Sequence, residues 1–155
     1  TKIYDKRHLF TMGEENQHYS AGTEKLVVDY KGWRFCPLIC YDLRFPVWSR
    51  NIEIYDVLIY VANWPAVRHT VWKTLLQARA IENQAYCFGV NRVGKDGPGL
   101  NYNGDSCLID ARGNVRFLGD SEQVTSFEIS RDELHKFRKK FPVLNDKDVF
   151  QMKGK

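Results

Sequence analysis

Three features of the chain predict an α/β fold. Strand-like apolar runs recur at Trp33–Cys40, Asp56–Ala62 and Ala85–Asn91. Between the last two lies the best helical period in the chain, with Trp72, Leu75, Leu76, Arg79, Ala80 and Asn83 at i, i+3, i+4, i+7, i+8 and i+11. Short strands punctuated by turns then fill the carboxyl half. Strands alternating with a helix and hairpins stack as layers around one core. The chain has 155 residues, 43% of them hydrophobic and 14% aromatic, enough for a single domain with a real core.

Taken in order, Thr1–Phe10 is strand-like and mixes bases with apolar residues. Side chains of a strand alternate with period two, so Lys6 and His8 are expected on one side of it. Thr11–Thr23 is polar and glycine-bearing, a loop. Lys25–Tyr30 and Trp33–Cys40 read as a hairpin about the turn Lys31-Gly32. Val47–Ile54 is expected to be a short helix or irregular turn after Pro46. Asp56–Ala62, a continuous apolar run, carries the signature of a strand covered on both faces. The helix is expected over His69–Gln84, a buried strand over Ala85–Asn91 and a Gly/Pro/Asn loop over Lys95–Gly104. Strands follow at Asp105–Ile109, Val115–Leu118 and Val124–Ile129. Ser130 with Glu133 three residues on is a capping box that opens a helix to about Lys140, and residues 141–155 form an exposed tail. No internal repeat or interdomain linker interrupts the chain.

Composition narrows the function. The formal net charge is +4, with bases and acids intermixed except at Arg138-Lys139-Lys140 and Lys153/Lys155. A nucleic-acid binder needs a denser basic stripe with stacking aromatics, so that partner is not expected. No long charge-free apolar run is present, so no membrane partner is expected either. The four cysteines, Cys36, Cys40, Cys87 and Cys107, lie in apolar runs without the close pairing of a zinc site. Reduced thiols and a cytoplasmic location are the natural reading. His8, His18, His69 and His135 show no ligand spacing, and no Gly-rich loop follows a strand, so neither metal nor organic cofactor is expected.

The chemistry concentrates at Pro37-Leu38-Ile39-Cys40-Tyr41-Asp42-Leu43-Arg44-Phe45-Pro46. An apolar strand delivers Cys40 to a turn that Pro46 keeps from extending further. Most free cysteines are inert packing, and that reading holds for Cys36, Cys87 and Cys107. Cys40 differs in having charged neighbours. A thiolate needs nearby positive charge or a base, and Lys6 and Arg44 are candidates. Acyl transfer needs a nucleophile, a base and an oxyanion donor. Cys40 supplies the first. Lys6 and the Tyr41 backbone N–H supply the last. His8 is the nearest candidate base, although its spacing suits a structural hydrogen bond equally well.

The segments YDKRHLF, ICYDLRFP, VANWP and ARAIENQAY, in this order and at these separations, resemble the nitrilase (carbon–nitrogen hydrolase) superfamily, and within it the ω-amidase branch. The resemblance runs from Tyr4 to about Phe150. It implies a four-layer α-β-β-α sandwich and an amidase that works through a cysteine thioester. It places the nucleophile on Cys40, the lysine on Lys6 and a second glutamate on Glu15, with the adjacent Glu14 as the alternative. Tyr41 and Lys6 would form the oxyanion site, and Asn63 and Trp64 would lie near the substrate. His8, Asp42 and Arg44 would be scaffolding. The helix around Arg79 and Glu82, which can pair at i, i+3, resembles one that buttresses the core and joins a homodimer interface.

One element of the pattern has no counterpart here. The superfamily's general-base glutamate lies on a strand well before the lysine motif, and this chain begins five residues before Lys6. The expectation is that residues 1–155 are the carboxyl-terminal two-thirds of a single carbon–nitrogen hydrolase domain. The sandwich is then incomplete in this chain, and the first third comes from a longer protein or another chain. The implied substrate is a small-molecule amide, the terminal carboxamide of a 2-oxo dicarboxylic acid such as 2-oxoglutaramate, with an Arg or Lys meeting its carboxylate. The rival readings are an inactive or partner-dependent binding and oligomerisation module, and a superfamily hydrolase of another amide or a nitrile.

Overall fold

The computed structural model describes residues 2–152. A short helix α1 (Glu15–His18) precedes the hairpin β1 (Val28–Tyr30) and β2 (Trp33–Ile39). A 3-10 turn over Cys40–Arg44 leads into α2 (Pro46–Ser49), then β3 (Val57–Ala62), α3 (His69–Glu82) and β4 (Tyr86–Asn91). The small strands β5 (Val93–Lys95), β6 (Asn101–Asn103), β7 (Cys107–Ile109) and β8 (Val115–Phe117) follow, and α4 (Arg131–Lys140) completes the main elements.

Six strands form one sheet in the order β1-β2-β3-β4-β7-β8, and β5 pairs with β6 separately. The centre of the sheet is parallel, with Ile39 opposite Val61 and Ala62 opposite Asn91. Both edges are antiparallel. Lys31 and Gly32 both take positive φ, 46° and 79°. A two-residue hairpin loop needs this geometry if its twist is to match that of the flanking strands.

Alternation along the central strands creates two unlike faces. Cys36, Leu38, Leu58, Tyr60 and Cys87 point to the side covered by Trp72, Leu76 and Ala80 of α3, and all are buried. Gly89 makes that approach possible: a Cβ there would lie 2.5 Å from Leu76 Cδ1 and 2.9 Å from Trp72 Cζ2. The opposite face is covered only in part. Phe127 reaches Phe88, with ring centroids 6.3 Å apart, while Val61 and Val90 are 47% and 50% exposed. The expectation that β3 is covered on both faces is therefore corrected for its outer half.

The helix α4 lies at the opposite end of the sheet from Cys40. Arg138 donates to Asp56 Oδ1 (2.9 Å), to the Tyr55 carbonyl (2.7 Å) and to the Gln84 carbonyl (2.9 Å), which tie it to the amino ends of β3 and β4. Ser130 caps the helix by accepting from the Glu133 N–H at 3.2 Å, but the Glu133 side chain turns to Lys136 instead of completing the box.

Four further expectations are corrected. Residues 2–10 form no strand. The chain bends at Arg7 and His8, so Lys6 and His8 are directed to different partners. The loop over 95–104 contains the β5–β6 ribbon, because Asp96 organises a tight turn by accepting from Leu100 N and Tyr102 Oη. The alternating segment 124–129 is not a strand. Its alternation rests Phe127 and Ile129 against the protein but gives it no ladder partner, and Val124 is fully exposed. The tail is not wholly exposed, since a 3-10 turn over Val143–Asp146 buries Leu144. Thr1 and the tail lysines Lys153 and Lys155 lie outside the described residues.

Candidate active site

Parallel β2, β3 and β4 end together, so the residues that follow them share one edge of the sheet: Cys40 after Ile39, Asn63 after Ala62, and Asn91 at the end of β4. Crevices at the carboxyl ends of parallel strands are where open α/β sheets hold ligands. Cys40 sits there with φ +44°, a left-handed conformation that is costly for a residue with a Cβ and is kept only where the surroundings impose it.

Asp42 imposes it. Its carboxylate is fully buried and accepts from the Ile39 N–H (3.1 Å), the His8 N–H (2.9 Å) and the Tyr4 hydroxyl (2.7 Å), and pairs with His8 Nδ1 at 2.9 Å. Trp48 Nε1 donates to the same Tyr4 oxygen, and the His8 ring stacks on Phe45 at 3.8 Å. Buried charges are tolerated when fully hydrogen-bonded in this way. His8 is thus turned toward Asp42.

Lys6 points the other way, into the crevice. Its Nζ pairs with Glu15 Oε2 at 2.5 Å, and the same oxygen accepts from the Phe10 N–H at 2.8 Å. The Lys6 side chain is 12% exposed, so the pair is largely shielded from water. Of the two candidate glutamates it is Glu15 that meets Lys6. Glu14 occupies a left-handed position at the turn before α1.

Lys6, Glu15, Cys40, Asn63, Asn91 and Arg92 line one cavity of about 750 Å³. Burial raises the Cys40 thiol above the ordinary value; the Lys6 ammonium and the Asn63 N–H pull it back. Burial pushes Cys36 and Cys107 up to about 12 and Cys87 well above its ordinary value, as suits inert core thiols. Left to itself, Cys40 is a protonated thiol at neutral pH, and a base must remove its proton for it to attack.

A second cavity of about 480 Å³ opens on the other side of Cys40, against Tyr41, Arg44, Trp64, Arg68 and Tyr102. Trp64 is a buried wall. Its Nε1 donates to the Arg68 carbonyl (2.9 Å), its ring meets Trp72 at 5.5 Å, and the Arg44 guanidinium lies 5.3 Å above it. Arg44 thus lines this cavity while lying over the Trp64 ring. Arg68 and Asn91 were not singled out from the sequence. The pattern NWP after one apolar strand and NR after the next, in neighbouring parallel strands, is the signal that points to Asn91; the sequence holds none for Arg68. Among the described residues, no group of three or more His, Cys, Asp or Glu is placed to hold a metal ion. No helix there is long and apolar enough to cross a membrane.

Residues 1–139 match the carbon–nitrogen hydrolase family. The chain is 53% identical to an ω-amidase, YafV, of Escherichia coli K12, an alignment covering 97% of this chain and 59% of that protein. It is 38% identical to a 2-oxoglutaramate amidase of Bacillus subtilis, covering 96% of this chain and 59% of the relative. Among solved structures, the carbon–nitrogen hydrolase superfamily protein XC1258 of Xanthomonas campestris superposes with a TM-score of 0.94 at 47% identity, over 97% of this chain and 60% of that one. The chain thus spans about three-fifths of the length of the relatives it matches. With a family match over residues 1–139 and relatives of this identity across nearly its whole length, the chain belongs to the carbon–nitrogen hydrolase family.

Proposed function

We propose that the protein of which this chain is part is an amidase that releases ammonia from the terminal carboxamide of a small 2-oxo dicarboxylic acid monoamide. The observation that carries the reading is the convergence of Cys40, the Lys6–Glu15 pair and Asn63 on one crevice at the carboxyl ends of three parallel strands. The names of the relatives, ω-amidase and 2-oxoglutaramate amidase, support the substrate class. Arg44 and Arg68, neither in an ion pair among the described residues, border the second cavity and suit a substrate carboxylate.

In this mechanism Cys40 loses its proton to a glutamate that the family pattern puts before the lysine motif, and its sulfur attacks the amide carbon. The Lys6 ammonium and the Tyr41 N–H stabilise the oxyanion that forms. The carbon–nitrogen bond breaks, nitrogen takes up the proton, and ammonia leaves a thioester on Cys40. Water then adds to the thioester, the carbon–sulfur bond breaks, and the free acid departs. Glu15 holds Lys6 in place. We further assign the protein to the cytoplasm as a homodimer, in line with its unpaired thiols and the family pattern.

The test is ammonia release from 2-oxoglutaramate by the full-length protein, with Cys40→Ala alongside. Turnover that vanishes in the variant is expected. Turnover on simple nitriles or other amides with none on 2-oxoglutaramate would move the substrate class. No turnover on any of them would favour the binding-module reading.

A further inference from the structure

We propose that Gly22 is a positioning residue for Lys6: its backbone seats the Lys6 main chain at a distance that only a residue without a side chain allows. The inference rests on the reading of Lys6 as an oxyanion donor.

Residues 2–10 form no strand, so the Lys6 main chain has no ladder to hold it. Its carbonyl accepts instead from the Gly22 N–H at 2.9 Å. The Gly22 carbonyl in turn accepts from Arg7 Nη1 at 3.2 Å, so two neighbouring residues satisfy both backbone groups of Gly22. Arg7 is itself buried, its guanidinium 5.2 Å from the centre of the Trp48 ring. Beyond it, the His8 N–H is fixed by Asp42 at 2.9 Å. Lys6 is thus held between two anchors, Gly22 at its own carbonyl and Asp42 two residues on.

One stretch of chain grips the lysine at both ends. Glu15, at the start of the stretch, meets Nζ at 2.5 Å, and Gly22, at its end, meets the carbonyl. Tyr19 and Ser20 between them line the cavity with Lys6 and Cys40. Closeness is what the glycine supplies. A Cβ on Gly22 would lie 2.2 Å from the Asp5 carbonyl oxygen, 2.8 Å from its carbonyl carbon and 2.9 Å from Asp5 Cβ. Main-chain atoms and a Cβ cannot turn away, so no change of rotamer relieves the clash. Gly22 does not take a positive φ, so it is room and not backbone conformation that excludes a side chain. Restoring an ordinary non-bonded separation drives the two segments apart by about 1 Å. The bond to the Lys6 carbonyl is then stretched, and the lysine shifts relative to Cys40.

The experiment is steady-state ammonia release from 2-oxoglutaramate by the full-length protein. It compares wild type, Gly22→Ala, Lys6→Met, the double variant and Arg138→Ala. Misplacing a group by about 1 Å can cost about 10²-fold, so Gly22→Ala is expected to lose about ten- to a hundredfold in kcat, with KM changed less than about threefold. In the Lys6→Met background the same substitution is expected to cost less than about threefold, because the group it acts through is gone. Arg138→Ala, destabilised far from the crevice, is expected to stay within about twofold of wild type. Iodoacetamide alkylation of Cys40, at a pH where its thiol is fully ionised, is expected to keep its wild-type rate in Gly22→Ala, since the sulfur itself is not moved. A wild-type kcat in folded Gly22→Ala overturns the proposal. So does an equal loss in both backgrounds or in Arg138→Ala, which would mark general loosening, and so does a changed alkylation rate, which would place the effect at the nucleophile. If Gly22→Ala does not fold, Arg7→Met, which frees the Gly22 carbonyl without a clash, is expected to lose kcat in the same way, and a wild-type kcat there overturns the proposal. Lys6→Met separates the two readings. If it keeps the wild-type kcat, the oxyanion role of Lys6 fails. If it is inactive while Gly22→Ala matches wild type, only the positioning role fails. Absence of turnover in wild type removes both.

Discussion

Lys6 is a cation in a crevice that shields it, and it remains there because Glu15 is 2.5 Å away. The pair acts on Cys40 in a direction that can be derived. Burial raises the thiol above its ordinary value and the Lys6 charge opposes that rise. Removing the charge in Lys6→Met takes away the largest of the influences that oppose burial, so the thiolate forms only at higher pH. The alkylation midpoint of Cys40 should then move up by about one unit or more, as for loss of a close opposite charge. An unchanged midpoint would mean that Lys6 does not act on the sulfur. Glu15→Gln keeps the shape of the side chain and removes the charge that holds Lys6. Its expected cost is about 10²- to 10³-fold in kcat, the size typical of a misplaced oxyanion donor. The measurement is steady-state ammonia release, and KM should change far less than kcat.

At the scale of elements, the contact of α3 with β4 is the tightest test of the packing. Gly89 leaves no room for a methyl group between Leu76 and Trp72. Gly89→Ala is expected to cost about 1–3 kcal/mol through overpacking, read as a lower denaturant midpoint at constant m-value. A neutral result would show that α3 can slide away from the sheet. This helix was also the most legible element. Trp72, Leu76, Arg79 and Ala80, all on its predicted inner face, are buried, and Arg79 pairs with Glu82 as its i, i+3 spacing allows. The hairpin about Lys31-Gly32 and the strands over Trp33–Cys40, Asp56–Ala62 and Ala85–Asn91 were legible because hydrophobic period and turn residues agreed there. Residues 2–10 and 124–129 were misread for one physical reason. Alternation reports which side chains lie against the protein, not whether the backbone has a ladder partner. In the crevice, Cys40, Lys6 and Glu15 were legible through the family motifs. Asn91 was not, because it matters through β3 and β4 lying side by side, and Arg68 was not, because it reaches the second cavity from the turn after β3, placements that local pattern does not contain.

Viewed whole, the molecule divides its work between the two ends of the sheet. At the carboxyl ends of β2, β3 and β4 the backbone is bent at Cys40 and polar groups line open space. At the amino ends of β3 and β4 the polar groups are consumed in structure. Asp56, 2% exposed, receives Arg138 at 2.9 Å, with His135 and Arg131 at 3.4 and 3.7 Å, and Arg138 also closes on two carbonyls. Such a division predicts that stability and activity can be changed separately. Arg138→Ala strands a buried carboxylate and two carbonyls and removes the tie that holds α4. Breaking one partner of a buried pair costs about 3–5 kcal/mol; Arg138 is not fully enclosed and Arg131 and the His135 ring remain near Asp56, so the lower end, about 3 kcal/mol, applies. For a chain of this size that corresponds to a fall in Tm of roughly 6–12 °C. Below that new Tm, kcat and KM for amide hydrolysis should stay within about twofold of wild type, because distant sites contribute independently. Glu15→Gln should show the reverse pattern, a large loss of kcat with a smaller fall in Tm than Arg138→Ala, because the Glu15 side chain is 31% exposed. Thermal melts and steady-state kinetics on the two full-length variants decide the matter: a kcat loss in Arg138→Ala comparable to that in Glu15→Gln would mean that the two ends of the sheet are coupled.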